Sequence, residues 1–143
     1  MDLAQRTSGV DDEMKKTKTL RQLKEACWKL FSEYIRRKNA DEGGTVECIS
    51  CGKLMHWKES QAGHFIGGRT NAVLFDEDIV YPQCRTCNIF KNGNYAAYTI
   101  AMIDLRGRQW VDEKLSHKYQ TVKFTRSDLQ EKIEDLKVKL GEL

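Results

Sequence analysis

The chain has 143 residues, 40% of them hydrophobic and 31% charged, with a single Pro and a formal net charge of +3. That length fits one domain around one core, and the composition excludes collagen-like, low-complexity and disordered chains. No apolar run reaches the about 18 residues that span a bilayer, and the amino terminus lacks the basic start and apolar stretch of a signal peptide, so the expectation is a soluble, non-membrane protein kept in a reducing cytoplasm.

Residues 1–12 are polar and aperiodic and read as a mobile arm. From Glu13 to Arg37, apolar residues recur at Leu20, Leu23, Cys27, Leu30 and Tyr34, with Phe31 and Ile35 widening the stripe, which predicts one long amphipathic helix. Nine Lys or Arg between Lys15 and Lys38 stand against Glu25 and Glu33, a local net charge of +7. Such a run is either a solvated helix face or an electrostatic footprint for phosphates. Cys27, beside Trp28, reads as a small buried apolar residue. Gly43 and Gly44 break the helix and close a helix-and-linker segment over residues 13–44.

Short extended pieces follow at residues 45–49, 54–57, 64–66 and 79–81, separated by the turn-rich stretch 67–71, and Pro82 is expected to stop the last of them. After Cys87 the pattern turns helical, over residues 88–91, 95–105 and 109–118. The last segment opens with Thr125-Arg-Ser-Asp128, a helix-capping signature. It then places Leu129, Ile133, Leu136, Leu140 and Leu143 as a heptad seam, which packs either on the chain's own core or across a dimer.

Of five Cys, four form the pairs Cys48-Ile-Ser-Cys51 and Cys84-Arg-Thr-Cys87. In a reducing compartment such pairs are metal ligands or redox centres rather than disulfides. Two pairs, each after an extended piece, let four thiolates surround one Zn²⁺ tetrahedrally at about 2.3 Å, a closed structural site with no open position. Chemistry must then lie elsewhere. The 32 residues between the pairs exceed the about 15 to 20 of a plain zinc ribbon and include Gln61-Ala-Gly-His64-Phe-Ile-Gly-Gly68. Asn88 follows the second pair and offers a carbonyl oxygen suited to a hard cation.

Cys-x-x-Cys-Gly, then Gly-His, then Cys-x-x-Cys-Asn-x-x-Lys resembles the HNH, or ββα-metal, nucleases, within them the zinc-stapled group that includes phage endonuclease VII. Cys48-Ile-Ser-Cys-Gly52, Ala62-Gly-His-Phe65 and Gln83-Cys-Arg-Thr-Cys-Asn88 with Lys91-Asn-Gly-Asn94 are similar to the NinG (Rap) recombination proteins of lambdoid phages, over residues 45–112. The resemblance implies an α+β fold, with a zinc-stapled ββα core at 45–94 flanked by the long N-terminal helix and a C-terminal helical region at 95–143. It implies a metal-dependent, structure-selective DNA endonuclease that cuts branched DNA such as Holliday junctions during phage recombination, in the cytoplasm of a bacterial host. Cys48, Cys51, Cys84 and Cys87 would hold structural zinc. His64 would be the general base, its ordinary pKa of about 6.5 suiting that role. Asn88 would help hold Mg²⁺ or Mn²⁺ against the scissile phosphate. A two-fold junction presents two strands to cut, which implies a homodimer.

Two departures matter. The Asp that commonly precedes the catalytic His in HNH enzymes is Gly63 here, and the central Asn of the pattern falls near Ile79. Asp76 and Asp78, with Glu77 between them, are the nearest acidic candidates for the unassigned metal ligand, and His56 is a reserve base or ligand. Arg69, Lys91, Arg85, Lys53 and Lys58 are candidates for phosphate contacts that position double-stranded or branched DNA. Trp28, Trp57 and Trp110 read as core residues. The competing readings are a zinc-stapled DNA-binding accessory protein without cleavage and a non-specific HNH nuclease. A zinc nucleobase deaminase is disfavoured, because the chain has no His-x-Glu.

Overall fold

Thr19 and Gln22 open the ordered fold by exchanging hydrogen bonds. The Gln22 backbone N–H donates to Thr19 Oγ1 at 3.1 Å, and the Thr19 N–H donates to Gln22 Oε1 at 2.9 Å, a capping box that satisfies two donors a helix start leaves orphaned. The computed structural model describes residues 18–143; the arm expected over residues 1–12, and the part of the first helix expected over 13–17, lie outside them. Helix α1 runs Leu20–Lys38 and buries Leu23, Cys27, Phe31 and Ile35, one residue per turn on a single face. Burial pushes the Cys27 thiol up to about 11, so it behaves as an apolar core residue.

After the Gly turn, strand β1 (Thr45–Glu47) pairs antiparallel with β2 (Leu54–His56). The extended piece expected to reach residue 49 stops earlier because Cys48 begins a tight knuckle. Its N–H donates to Lys53 O at 2.8 Å, and the Gly52 N–H donates to Cys48 O at 2.9 Å. A 3-10 turn, Trp57–Glu59, leads into β3 (Gln61–His64), which pairs antiparallel with β4 (Val80–Gln83), Gln61 opposite Gln83 and His64 opposite Val80.

Both strands of this second hairpin are displaced from the stretches that β-branched content marked. Pro82 lies inside β4 rather than ending it. Phe65 N–H donates to Ile79 O at 2.7 Å, and hydrogen-bonded pairs alternate from there, so the ladder asks no N–H of Pro82 opposite Ala62. The carbonyl of Pro82 accepts from Ile49 N–H at 3.0 Å, which ties the first knuckle to the second hairpin. The turn-rich stretch between β3 and β4 contains a short helix the sequence did not announce, α2 (Asn71–Leu74), with Val73 and Leu74 buried.

Helices α3 (Tyr95–Arg106), α4 (Arg108–Ser116) and α5 (Arg126–Gly141) complete the described chain. The capping box expected at Thr125 and Asp128 is present. Helix α5 lies along α1, with Leu129 and Leu136 buried while Leu143 remains 53% exposed. Leu129 and Leu136 of the heptad seam therefore pack on the chain's own core. One hydrophobic cluster joins Phe31 of α1, Ala62 of β3, Tyr98 and Met102 of α3, Val111 of α4 and Leu136 of α5. Tyr98 is fully buried and its hydroxyl donates to Gly63 O at 2.8 Å, fixing α3 under β3. No helix among the described residues is long and apolar enough to cross a membrane.

Truncating Leu136 to Ala removes a buried side chain between α1 and α5. We expect a loss of about 2–5 kcal/mol in urea unfolding that does not vary with protein concentration, whereas Leu143→Ala should change stability by less than about 0.5 kcal/mol.

Candidate metal centre and active-site cleft

Cys48 and Cys51 sit on the knuckle between β1 and β2, and Cys84 and Cys87 on the chain leaving β4. Their sulfur atoms all lie within 4.8 Å of one another, with Cys51 Sγ and Cys84 Sγ 3.7 Å apart. The four cysteines could hold a metal, and four soft thiolates suit zinc. Burial acts to raise the Cys48 thiol, but N–H groups of Cys84, Cys51 and Ser50 outweigh it and bring it down to about 7. Burial pushes Cys87 up to about 12, even though Asn94 Nδ2 donates to its sulfur at 3.4 Å.

The second pair opens a π-helical turn, Thr86–Phe90, rather than the ordinary helix start expected at residues 88–91. Lys91 N–H reaches back to Thr86 O at 2.8 Å, and the wide turn leaves Asn88 half-buried beside β3. Asn88 Nδ2 donates to Gln61 Oε1 at 2.7 Å, which leaves its Oδ1 without a hydrogen-bond partner among the described residues.

His64 ends β3 and is 9% exposed. Its Nε2 is 3.0 Å from Leu74 O, a carbonyl that can only accept, so Nε2 carries the proton and Nδ1 keeps the lone pair. The imidazole stacks on the Trp28 indole, with centroids 5.0 Å apart and planes 19° apart, and the Arg69 guanidinium lies 4.6 Å from the centre of the same indole. Burial first, and Arg69 after it, hold His64 below its ordinary value of 6.5, against the opposing pull of the Leu74 carbonyl.

Gly63 has a physical reason to be glycine. A Cβ built there would fall on Gln83 Oε1, so the place of a side chain before His64 is filled by the Gln83 amide. Gln83 is fully buried. Its Nε2 donates to Ser50 Oγ and to Gly93 O, both at 2.8 Å, joining the two knuckles behind the hairpin, while its Oε1 is a buried acceptor with no partner among the described residues.

A cleft of about 370 Å³ is lined by Trp28, Ser32, Arg36, Gln61, Ala62, Arg69 and Asn88. Ala62 shares a strand face with His64, and Gln61 lies on the other, so the cleft wraps the edge of β3. Asn88 and His64 are held toward opposite ends of that strand, and no hydrogen bond joins them. The acidic candidates are engaged elsewhere. Lys114 Nζ lies 2.8 Å from Asp76 and 3.5 Å from Asp78, Arg106 lies 3.7 Å from Asp78, and Glu77 bridges Lys38 of α1 and Lys139 of α5. These carboxylates dock helices. Among the described residues, those lining the cleft beside Asn88 include no carboxylate, so they do not by themselves make a fitting site for a hard cation such as Mg²⁺.

His56 stays on the first hairpin, where its Nδ1 accepts from Lys58 N–H at 3.2 Å. Of the basic candidates, Arg69 belongs to the cleft. Lys53, Lys58, Arg85 and Lys91 are exposed on or near the knuckles, with Arg85 packed over the Phe90 ring at 5.7 Å. Sequence reasoning missed the contribution of α1. Trp28, read as core, is half-buried and stacks on His64, and Ser32 and Arg36 line the cleft. The signal was present, since Lys24, Trp28, Ser32 and Arg36 each follow a buried residue by one position, giving a polar and aromatic stripe beside the apolar one.

A family model described as the bacteriophage lambda NinG protein matches residues 5–143. The chain is 32% identical over 114 residues to the ninG protein of Escherichia phage lambda, covering 73% of this chain and 52% of that protein. It is likewise 32% identical over 114 residues to that of Escherichia phage 933W, and 36% identical over 84 residues to that of Enterobacteria phage H19B, the latter covering 56% of this chain and 38% of that protein. The chain spans about half the length of the first two relatives. No solved structure matches it.

Two outcomes are expected of this centre. Purified protein should carry stoichiometric zinc, and Cys48→Ser or Cys87→Ser should release it to a colorimetric chelator and lose helical circular dichroism; full helicity without metal would remove the structural role. Gly63→Ala should destabilise the fold by about 1–3 kcal/mol in thermal or urea unfolding, as overpacking does, and Gln83→Ala in the same chain should relieve part of that loss.

Proposed function

The chain belongs to the family of the bacteriophage lambda NinG protein, and from that premise we propose that it is an HNH-type DNA endonuclease that cuts branched DNA such as Holliday junctions during phage recombination. The observation that carries this reading is the setting of His64, an imidazole fixed by the Leu74 carbonyl with Nδ1 free to accept a proton, at the end of a hairpin whose far end leads into the four-cysteine cluster. Its lowered proton affinity keeps it in the basic form at neutral pH.

In the proposed reaction, His64 Nδ1 takes a proton from a water that attacks phosphorus in line with the leaving 3′ oxygen. The phosphorus–3′ oxygen bond breaks, and solvent returns a proton to the leaving alkoxide. Arg69 and Arg36, both lining the cleft beside Asn88, stabilise the negative charge that grows on the non-bridging oxygens. Arg36 is pre-set for this, with its Nε donating to Ser32 O at 3.1 Å. Asn88, held by Gln61, presents its free carboxamide oxygen along the same cleft. A divalent cation, where one binds, would neutralise phosphate charge; the residues named act without it being placed. Zinc in the cysteine cluster would hold the first knuckle to the second. Cutting both strands of a junction would require a dimer.

The second reading, a DNA-binding accessory protein without cleavage, has one observation in its favour, the absence of a carboxylate around Asn88. A nicking assay on synthetic four-way junctions, duplex and flap DNA with Mg²⁺ or Mn²⁺ separates the two. The wild type should cut junctions in preference to duplex, while His64→Ala should retain zinc, fold and junction binding but lose cleavage by about 100-fold or more. Equal cutting by both proteins would end the catalytic assignment, and binding without cutting by the wild type would favour the accessory role.

A further inference from the structure

Helix α1 and the Arg69 turn enclose a second groove, of about 530 Å³, lined by Arg21, Lys24, Glu25, Trp28, Lys29, Arg69 and Leu74. Trp28 and Arg69 also line the cleft that contains Asn88, so the two spaces adjoin and share the stacked pair as a wall. Of the residues lining this outer groove, the proposed cleavage step uses Arg69 alone. Its floor is the Trp28 indole and Leu74, and among the described residues its rim carries four basic side chains against a single acid.

We propose that this groove binds an unpaired nucleotide of branched DNA, its base against Trp28 and Arg69 and its phosphates on the rim formed by Arg21, Lys24 and Lys29. This rests on the nuclease reading for the choice of substrate. An apolar aromatic floor with a cationic rim is the pairing of surfaces that single-stranded nucleic acid meets, where bases stack and phosphates take the charge. The volume lies within the about 300–1,000 Å³ of sites that hold small ligands, room for one or two nucleotides and not for a duplex. Junctions, flaps and nicks expose unstacked bases at the branch, whereas intact duplex hides them.

The side chains are set for exchange. Arg21 pairs with Glu25 at 3.5 Å with both side chains mostly exposed, and such a solvated pair yields readily to a phosphate. Lys24 Nζ is held by Asn71 Oδ1 at 2.7 Å, a neutral partner that leaves its charge uncompensated. Arg69 is exposed, and its backbone adopts a left-handed φ of 50°, which non-glycine residues adopt where the surroundings impose it. That turn aims the guanidinium over the indole. Because Trp28 also stacks on His64, a base seated there sits one ring away from the proposed general base, and the adjoining backbone runs toward Asn88.

The test uses the zinc-loaded full chain without added divalent cation, titrated with fluorescein-labelled oligothymidylate and with blunt duplex of the same length, read by anisotropy and by tryptophan emission. The oligothymidylate should bind more tightly than the duplex and quench emission. Trp28→Ala and Arg69→Ala should each weaken its binding by about 5- to 100-fold, and Trp28→Phe should bind while losing most of the quench. Binding by Arg69→Ala as tight as wild type, or undiminished quenching in Trp28→Phe, would overturn the groove assignment even if Trp28→Ala failed to fold. Cleavage decides separately. Oligothymidylate binding by Arg69→Ala equal to wild type, together with junction cutting by the wild type, leaves the nuclease and removes the groove. A chain that binds as expected and cuts nothing keeps the groove and removes the nuclease.

Discussion

Four sulfur atoms held within 4.8 Å of one another form the constraint on which the central architecture depends. Two knuckles separated by a 32-residue insertion have to meet, and each hairpin is only two strands wide. A two-stranded hairpin is marginal by itself in water. Thiolate–metal bonds would supply directly what so little sheet cannot, and the protein adds hydrogen bonds along the same seam. Gln83 reaches one knuckle at Ser50 and the turn beyond the other at Gly93, and Pro82 accepts from Ile49. A metal bound by the four cysteines and this amide would therefore hold the same two segments, with the hairpin bearing His64 fixed from behind.

The helices complete this by enclosing the hairpin rather than by forming a separate domain. Tyr98 from α3 donates to Gly63 O, and α1 lays Phe31 into the same cluster as Ala62 and Leu136. Ion pairs then set the outer helices: Asp76 with Lys114 of α4, and Glu77 between Lys38 of α1 and Lys139 of α5. Single exposed pairs contribute little. Here several converge on the acidic turn before β4, where they fix the helices' direction more than they add stability. The three carboxylates that looked available for a metal are thus consumed in docking the C-terminal half onto the hairpin.

The contrast between what the sequence made legible and what it hid follows the range of the interactions. The Cys pairs and the Thr125–Asp128 cap are local patterns of a few residues, and each appears where spacing placed it; the α1 stripe narrows to Leu23, Cys27, Phe31 and Ile35, with Leu20 exposed. Strand ends failed because pairing register, not β-branched content, selects Gln61–His64 and Val80–Gln83. Pro82 looked like a terminator because alternation of the ladder is invisible until its partner is known. Helix α2 was hidden in a Gly-rich turn, since what stabilises it is burial of Val73 and Leu74. The place of Trp28 beside the apolar stripe was legible, but its partners were not, because His64 and Arg69 meet it from segments 36 and 41 residues away.

Gly63 and Gln83 show why a departure from a family pattern can be structural before it is functional. Placing a side chain at residue 63 requires evicting Gln83 Oε1, and Gln83 is also the tie between the knuckles. A carboxylate there would sit in the space of a buried amide, where burial penalises charge. A side chain at residue 63 and the knuckle-bridging amide therefore exclude one another. Asn88 and Gln61 form a neutral wall of the cleft, and the positive charge stands on the other wall. That wall is α1 with the Arg69 turn, where Arg36 and Arg69 stand beside Trp28. The N-terminal helix, which the motif alone leaves outside the site, is on this view the half of the cleft that supplies its positive charge.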